Sequence, residues 1–324
     1  MLHEPAESLA SDPLRREIVA CAREYRPEDS VAYDAARECL VDALAGALEA
    51  LRDPACTKLI GPVVPGATMI GGARVPGTSY ELDPVKAAFD LGTLIDWHAP
   101  AVPDVAAEND RPADCLGGLL ATVDWWSRTR LATGDESPTV HDLLATLLTA
   151  QELQRMLGQE SVPQGFRPCR ASRARVATAA AVAAALGGTH AQVLAAVSHA
   201  VLDGGAPRLN VAASGGHPRA RWTIGDADSR GVRLALIALA EEPPGPATHP
   251  PACAPAAHGS PMPSARRADD SSRPGAEAVR TRFAAAVRAH YPARQAALLA
   301  AIFADAAALD AKPVHELVSA LVRN

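Results

Sequence analysis

Apolar residues recur at three- and four-residue intervals along most of the 324-residue chain, the spacing of helices that bury one face in a core. Leu40, Leu44, Ala47, Leu48 and Leu51 form the first stripe, with Asp29 or Ser30 as its candidate cap. Asp83-Pro84 predicts the start of a second helix running toward Trp97, the proline standing where no backbone N–H is needed. The same period predicts helices over 117–130, 140–157, 171–186, 191–202 and 231–240, with Gly187-Gly188 ending the one that starts at Ala171. Between the first two, proline and glycine punctuate 61–77 and argue against long regular structure. Residues 242–275 hold nine prolines and no apolar period, which predicts an exposed linker. Beyond it the helical period resumes at Val279, Phe283 and Val287, then at Leu298, Leu299 and Ile302, and last at Val314, Leu317 and Leu321. The expected organisation is all-α: a helical domain over 1–241, a linker over 242–275, and C-terminal helices over 276–324 that pack back on the domain.

Composition narrows the function classes. Aromatic residues are 4 % of the chain and the formal charge is −6, so base-stacking platforms and a basic backbone-binding face are both lacking, and nucleic acid is not an expected partner. The longest weakly polar run, over 176–188, is too short to cross a bilayer, and the acidic first fourteen residues have no apolar signal core. A cytoplasmic protein without a membrane partner is expected. The six cysteines form no C-x-x-C pair and have no zinc-finger histidine partners, so reduced thiols, no metal and no cofactor are expected. Of the 31 basic residues only Lys58, Lys86 and Lys312 are lysines. That bias has two readings: a GC-rich coding sequence, or a use for the planar guanidinium fork in binding anions.

Three segments resemble the MmgE/PrpD family, best known for 2-methylcitrate dehydratases. The first runs from Glu38-Cys-Leu-Val-Asp-Ala-Leu44 through Cys56-Thr-Lys-Leu-Ile-Gly-Pro-Val-Val-Pro-Gly66 to 72–89. The second starts at Val201-Leu-Asp-Gly204 and includes Gly225-Asp-Ala-Asp-Ser-Arg-Gly-Val-Arg-Leu-Ala-Leu236. The third is the tail, with Tyr291-Pro-Ala-Arg-Gln-Ala296 and Lys312-Pro-Val-His-Glu-Leu317. The resemblance implies the family's helical domain, with its smaller α+β lid domain missing and the linker standing in the lid's place.

Removing water from a hydroxy acid calls for a base, an acid for the departing hydroxyl, and cations for the carboxylates. The resemblance places the family's Asp-Phe-Asn-Asp-like stretch on Asp96-Trp-His-Ala99, its motif histidine on Arg111, its Leu-Asp-His stretch on Pro168-Cys169-Arg170, and its lysine on Ala220. Most expected proton-transfer groups are therefore replaced, while Pro112 and Asp114 are retained. Asp96, His98, Asp104 and Glu108 remain as catalytic candidates, and Arg111, Arg167, Arg170 and His217 as an anion or substrate clamp. The competing reading of Arg111 and Arg170 is drift or surface solvation. Trp97 and Trp222 read as core residues, and His141, His199, His290 and His315 as ordinary residues of helices. Asp226 and Arg230 read as a helix-start cap and its ion pair.

The implied activity is a PrpD-like lyase or cyclase step rewired away from dehydration. It would expel an anionic leaving group from a small-molecule substrate, for example sulfate in aziridine formation in a bacterial natural-product pathway. A homologous PrpD-like partner chain or a homodimer is expected. Alternatives are a non-catalytic subunit of a heteromeric PrpD-like complex and a residual 2-methylcitrate dehydratase-like lyase.

Overall fold

A computed structural model describes residues 13–99, 111–158, 168–203, 221–241 and 275–323. The helices, in chain order, are α1 (Pro13–Glu24), α2 (Ser30–Ala50), α3 (Pro54–Thr57), α4 (Pro84–Asp96), α5 (Leu116–Thr133), α6 (Val140–Leu157), α7 (Arg170–Ala185), α8 (His190–Leu202), α9 (Thr223–Ala240), α10 (Ala276–His290), α11 (Ala293–Ile302), α12 (Ala306–Asp310) and α13 (Val314–Leu321). The strands among the described residues are β1 (Ala73–Arg74), in the proline- and glycine-rich stretch, and β2 (Glu81–Leu82), just beyond it, paired antiparallel. The fold is all-α.

Helix starts follow local chemistry. The Asp29 carboxylate accepts from the Val31 amide, and Asp83 accepts from Val85 and Lys86 with Pro84 at the first turn. Thr139 with Asp142, and Thr189 with Gln192, close reciprocal capping boxes on α6 and α8. Two expectations change. α9 begins at Thr223, two turns before the apolar stripe that suggested 231. Asp226 consequently lies inside the first turn and not at the cap, which is Trp222; its 3.4 Å pair with Arg230 is an i,i+4 pair within the helix. α1 adds a helix outside those expected from the apolar period, and it buries Ile18, Val19 and Ala22.

α7 is the central element. Every residue from Ala171 to Ala183 is buried, as expected for a helix wrapped by others on all sides, and its alanines let α6, α8 and α9 pack closely around it. α9 also packs on α4, and α4 on α5. Glycines make that second junction possible. A Cβ on Gly117 would stand 2.3 Å from the Gly92 nitrogen, and one on Gly225 would stand 2.2 Å from Thr93 Oγ1 and 2.5 Å from the Phe89 carbonyl oxygen. Backbone therefore meets backbone where α4, α5 and α9 cross.

The C-terminal helices pack against the earlier ones, α10 on α2 and α13 on α5. The Arg282 guanidinium bridges Glu49 and Asp42 at 2.6 and 2.7 Å, and the Tyr291 hydroxyl donates to the Leu321 carbonyl at 2.6 Å. Arg74 ties the last helix to the middle of the chain, donating to both Asp124 oxygens and to the His315 carbonyl. The linker at 242–274 lies outside the described residues. No helix among the described residues is long and apolar enough to cross a membrane.

Candidate functional site

Three helix ends meet at one end of the bundle. α4 finishes at Asp96, α5 starts just after Asp114, and α7 starts at Arg170. Arg170 donates to both oxygens of Asp114, from Nε at 2.7 Å and Nη2 at 2.5 Å, and Nη2 also reaches Asp96 Oδ1 at 2.8 Å. Arg111 approaches the same Asp96 oxygen at 3.4 Å, and its backbone N–H donates to Asp114 Oδ2 at 3.3 Å. The result is a quartet of two guanidinium groups and two carboxylates, formally neutral, built from residues up to 74 positions apart.

The quartet is largely withdrawn from water: the Asp114 side chain is 2 % exposed and Asp96 10 %, against 16 % for Arg170 and 22 % for Arg111. Burial raises the pKa of Asp96 above the ordinary carboxylate range, and the Asp114 charge adds to the rise, against the lowering pull of Arg170 and Arg111. Burial lowers Arg111, and neighbouring Arg170 lowers it further. Burial alone would also lower Arg170, but Asp114 and Asp96 outweigh it and hold its proton more firmly. A buried carboxylate of raised basicity beside fixed cations is suited to proton transfer near a bound anion. The N-caps of α5 and α7, Cys115 and Cys169, make no side-chain cap hydrogen bond, and the positive ends of both helices face this region.

The quartet joins three of the sequence candidates, Asp96, Arg111 and Arg170. His98 is exposed on the turn after α4. Asp104, Glu108, Arg167 and His217 lie outside the described residues, as does Ala220. Trp97 is in the core as expected, and its indole N–H donates to Asp53 Oδ2 at 2.7 Å, with the Arg221 guanidinium 5.1 Å from its ring centre. Trp222 is half-buried and its ring stands 6.0 Å from that of Phe89. Two carboxylates outside the sequence candidates belong to this region, Asp114 and Asp228. Asp114 had a signal, since it survives in a motif whose histidine is lost. Asp228 had one too: with Ile224, Gly231, Val232 and Ala235 it falls on the apolar stripe of α9, an unusual place for an acid.

Two surface cavities, of about 570 and 610 Å³, lie elsewhere. One is bordered by Tyr25, Tyr33, Trp126 and His141, the other by Phe283 and Phe303, and neither includes a quartet residue. Among the described residues no group of three or more His, Cys, Asp and Glu is placed to hold a metal ion.

The family model of the MmgE/PrpD N-terminal domain matches residues 16–248. The chain belongs to the MmgE/PrpD family. It is 44 % identical over 231 residues to the 2-methylcitrate dehydratase of Cupriavidus necator, covering 71 % of this chain and 48 % of that protein. It is 43 % identical over 226 residues to the 2-methylcitrate dehydratase of Salmonella typhimurium strain LT2, covering 70 % and 47 %. To the alkylcitrate dehydratase phiI of Fungal sp. it is 36 % identical over 247 residues, covering 72 % and 49 %. The chain thus spans about half the length of the curated relatives it matches. The quartet belongs to the MmgE/PrpD portion, all four of its residues lying within the matched range.

Proposed function

We propose that this MmgE/PrpD protein takes part in a lyase- or cyclase-type reaction that expels an anionic leaving group, acting with a homologous PrpD-like chain. In the specific form proposed, a substrate amine attacks the carbon that bears a sulfate ester. The C–N bond of an aziridine forms as the C–O bond breaks, sulfate departs with the bonding electrons, and the proton of the resulting ammonium passes to a carboxylate. Asp96 is the described group suited to take it, because burial raises its basicity. Arg111 and Arg170, with the N-terminal ends of α5 and α7, supply positive charge for the departing anion.

The observation that carries this reading is the quartet itself. The two positions where the resemblance expects histidine hold Arg111 and Arg170, and both guanidiniums meet the retained Asp96. That both face one buried carboxylate speaks against surface solvation for either guanidinium. A second reading has its own support: each guanidinium already faces a carboxylate, so the quartet is charge-balanced without a ligand, as suits a non-catalytic subunit.

One experiment separates them. The chain, alone and with a homologous PrpD-like chain, is incubated with 2-aminoethyl hydrogen sulfate, and sulfate and aziridine are followed by ion chromatography and NMR, with 2-methylcitrate as the dehydration control. Catalysis by this chain predicts sulfate release, normalised to folded protein, that falls about 100-fold or more in Asp96→Asn. Release in the complex that is indifferent to Asp96→Asn and Arg111→Ala assigns the supporting role. No release under any condition overturns the leaving-group reading.

A further inference from the structure

α5 starts without a cap from its own sequence. Its N-cap, Cys115, has φ +73°, making it the one non-glycine of positive φ among the described residues, and its thiol is turned toward the Ala174 carbonyl at 3.4 Å. An N-cap side chain ordinarily accepts from the second or third amide of its helix. Here the third amide, Gly118 N–H, donates to Asp228 Oδ2 on α9 at 3.0 Å. The other Asp228 oxygen accepts from Thr178 Oγ1 on α7 at 3.1 Å.

Both partners stand in fixed relation to the quartet. Gly118 follows Asp114 by about one helical turn, and Thr178 follows Arg170 by about two. The space around the carboxyl is shaped by missing side chains. A Cβ on Gly92 or on Gly117 would lie 2.8 Å from Asp228 Oδ2, and one on Gly118 would lie 2.7 Å from Thr178 Cγ2. Asp228 is fully buried. Burial pushes its pKa up to about 8 despite the hydrogen bonds from Gly118 and Thr178, with Asp114 and Asp96 adding to the rise. Near neutral pH the carboxyl therefore carries a proton in good part; with that proton on Oδ1 the 3.1 Å contact to Thr178 Oγ1 is kept with donor and acceptor exchanged, and Oδ2 still accepts from Gly118.

We propose that Asp228 is a positioning residue for the quartet: it caps α5 from a neighbouring helix and ties α7 through Thr178, so that the start of one meets the start of the other with Arg170 set against both oxygens of Asp114. The proposal rests on the reading of the quartet as the working site, and its first test does not depend on any activity. Asparagine has the shape and hydrogen-bonding pattern of the neutral acid: its carbonyl can accept from Gly118 and its amide donate to Thr178.

Amide hydrogen exchange of the full chain is measured by mass spectrometry in wild type, Asp228→Asn and Asp228→Ala. The alanine variant is expected to speed exchange in the first turn of α5 about tenfold or more, with α2 and α6 unchanged. Asparagine is expected to restore protection to within about threefold of wild type. Exchange that rises equally in α2, α5 and α6, or asparagine that does no better than alanine, overturns the proposal. Thr178→Val severs the tie to α7 without opening a cavity, and so serves if Asp228→Ala does not fold. Its Tm loss and that of Arg170→Ala should fail to add, whereas strict additivity counts against positioning. If the complex releases sulfate from the amino ester, Asp228→Ala should lower kcat more than it changes KM, with recovery in Asp228→Asn. If no release occurs, the functional reading fails and the exchange result alone decides the role of Asp228.

Discussion

Arg170 meets two carboxylates carried by separate segments of chain, so its removal leaves Asp96 facing Arg111 at 3.4 Å and Asp114 facing the Arg111 backbone N–H. Asp114 is 2 % exposed and Asp96 10 %; taking away Arg170 leaves two like charges sharing the more distant Arg111 alone, with little access to water. Breaking one side of such a buried arrangement costs about 3–5 kcal/mol, and Arg170→Ala is expected to lose about 3 kcal/mol at pH 7. The stranded acids then take up protons more readily in the folded than in the unfolded chain, so the deficit should shrink as pH falls toward 5. Urea unfolding of wild type and variant at the two pH values checks this. An equal deficit at both would mean that the carboxylates find other partners. Trp97 makes a smaller case. Its indole donates to Asp53 at 2.7 Å and holds that carboxyl below its ordinary pKa. Trp97→Phe keeps the buried ring but loses the bond, and should lower the midpoint of chemical denaturation by less than Arg170→Ala does.

At the scale of elements, the glycines separate two kinds of helix. Replacing glycine by alanine in a helix interior ordinarily gains up to about 1 kcal/mol. Gly46 in α2 should behave that way, since a Cβ there would meet nothing nearer than Arg282 Nη2 at 3.4 Å. Gly117→Ala and Gly225→Ala should instead lose about 1–3 kcal/mol, because the added carbon overlaps the backbone of α4. Thermal melts of the three variants suffice, and a stabilising Gly225→Ala would refute the close crossing. The contrast also explains what the sequence made legible. Helices with an apolar stripe and a capping residue, α2, α4, α6 and α8, could be read to within a residue or two, because period and cap are local. The first two turns of α9 could not, since Gly225, Ala227 and Asp228 are buried against other helices by closeness and hydrogen bonding and not by bulk. The site was legible where its residues occupy motif positions, as at Asp96, Arg111 and Arg170. Asp228 shows in the sequence as an acid on an apolar stripe, but no local pattern announces that it caps another helix, α5, and ties α7.

At the scale of the whole molecule, the buried acids set a direction for stability against pH. Burial raises Asp90 to about 6 against the opposing effect of Lys86, and raises Asp228 to about 8. Asp96 and Asp124 shift the same way, again through burial, against the pull of Arg170 and Arg74 respectively. An acid whose folded pKa stands above its unfolded value of about 3.9 binds its proton more tightly when folded. The stability it contributes is complete below about pH 4 and is lost as pH rises through the folded pKa. For Asp90 that window is about pH 4 to 6, and for Asp228 about pH 4 to 8. Asp53 works in the opposite sense, since its lowered pKa contributes stability above about pH 4 that is lost in stronger acid. Together these place the stability maximum near pH 4, with a decline toward pH 8. Denaturant unfolding at half-unit steps should show that decline. Asp90→Asn should flatten its lower part and Asp228→Asn its upper part, because an amide has no proton to lose. A wild-type profile that is flat or rising from pH 5 to 8 would mean that these acids are ionised in the folded chain, and with that the neutral form of Asp228 on which its rescue by asparagine depends would be lost.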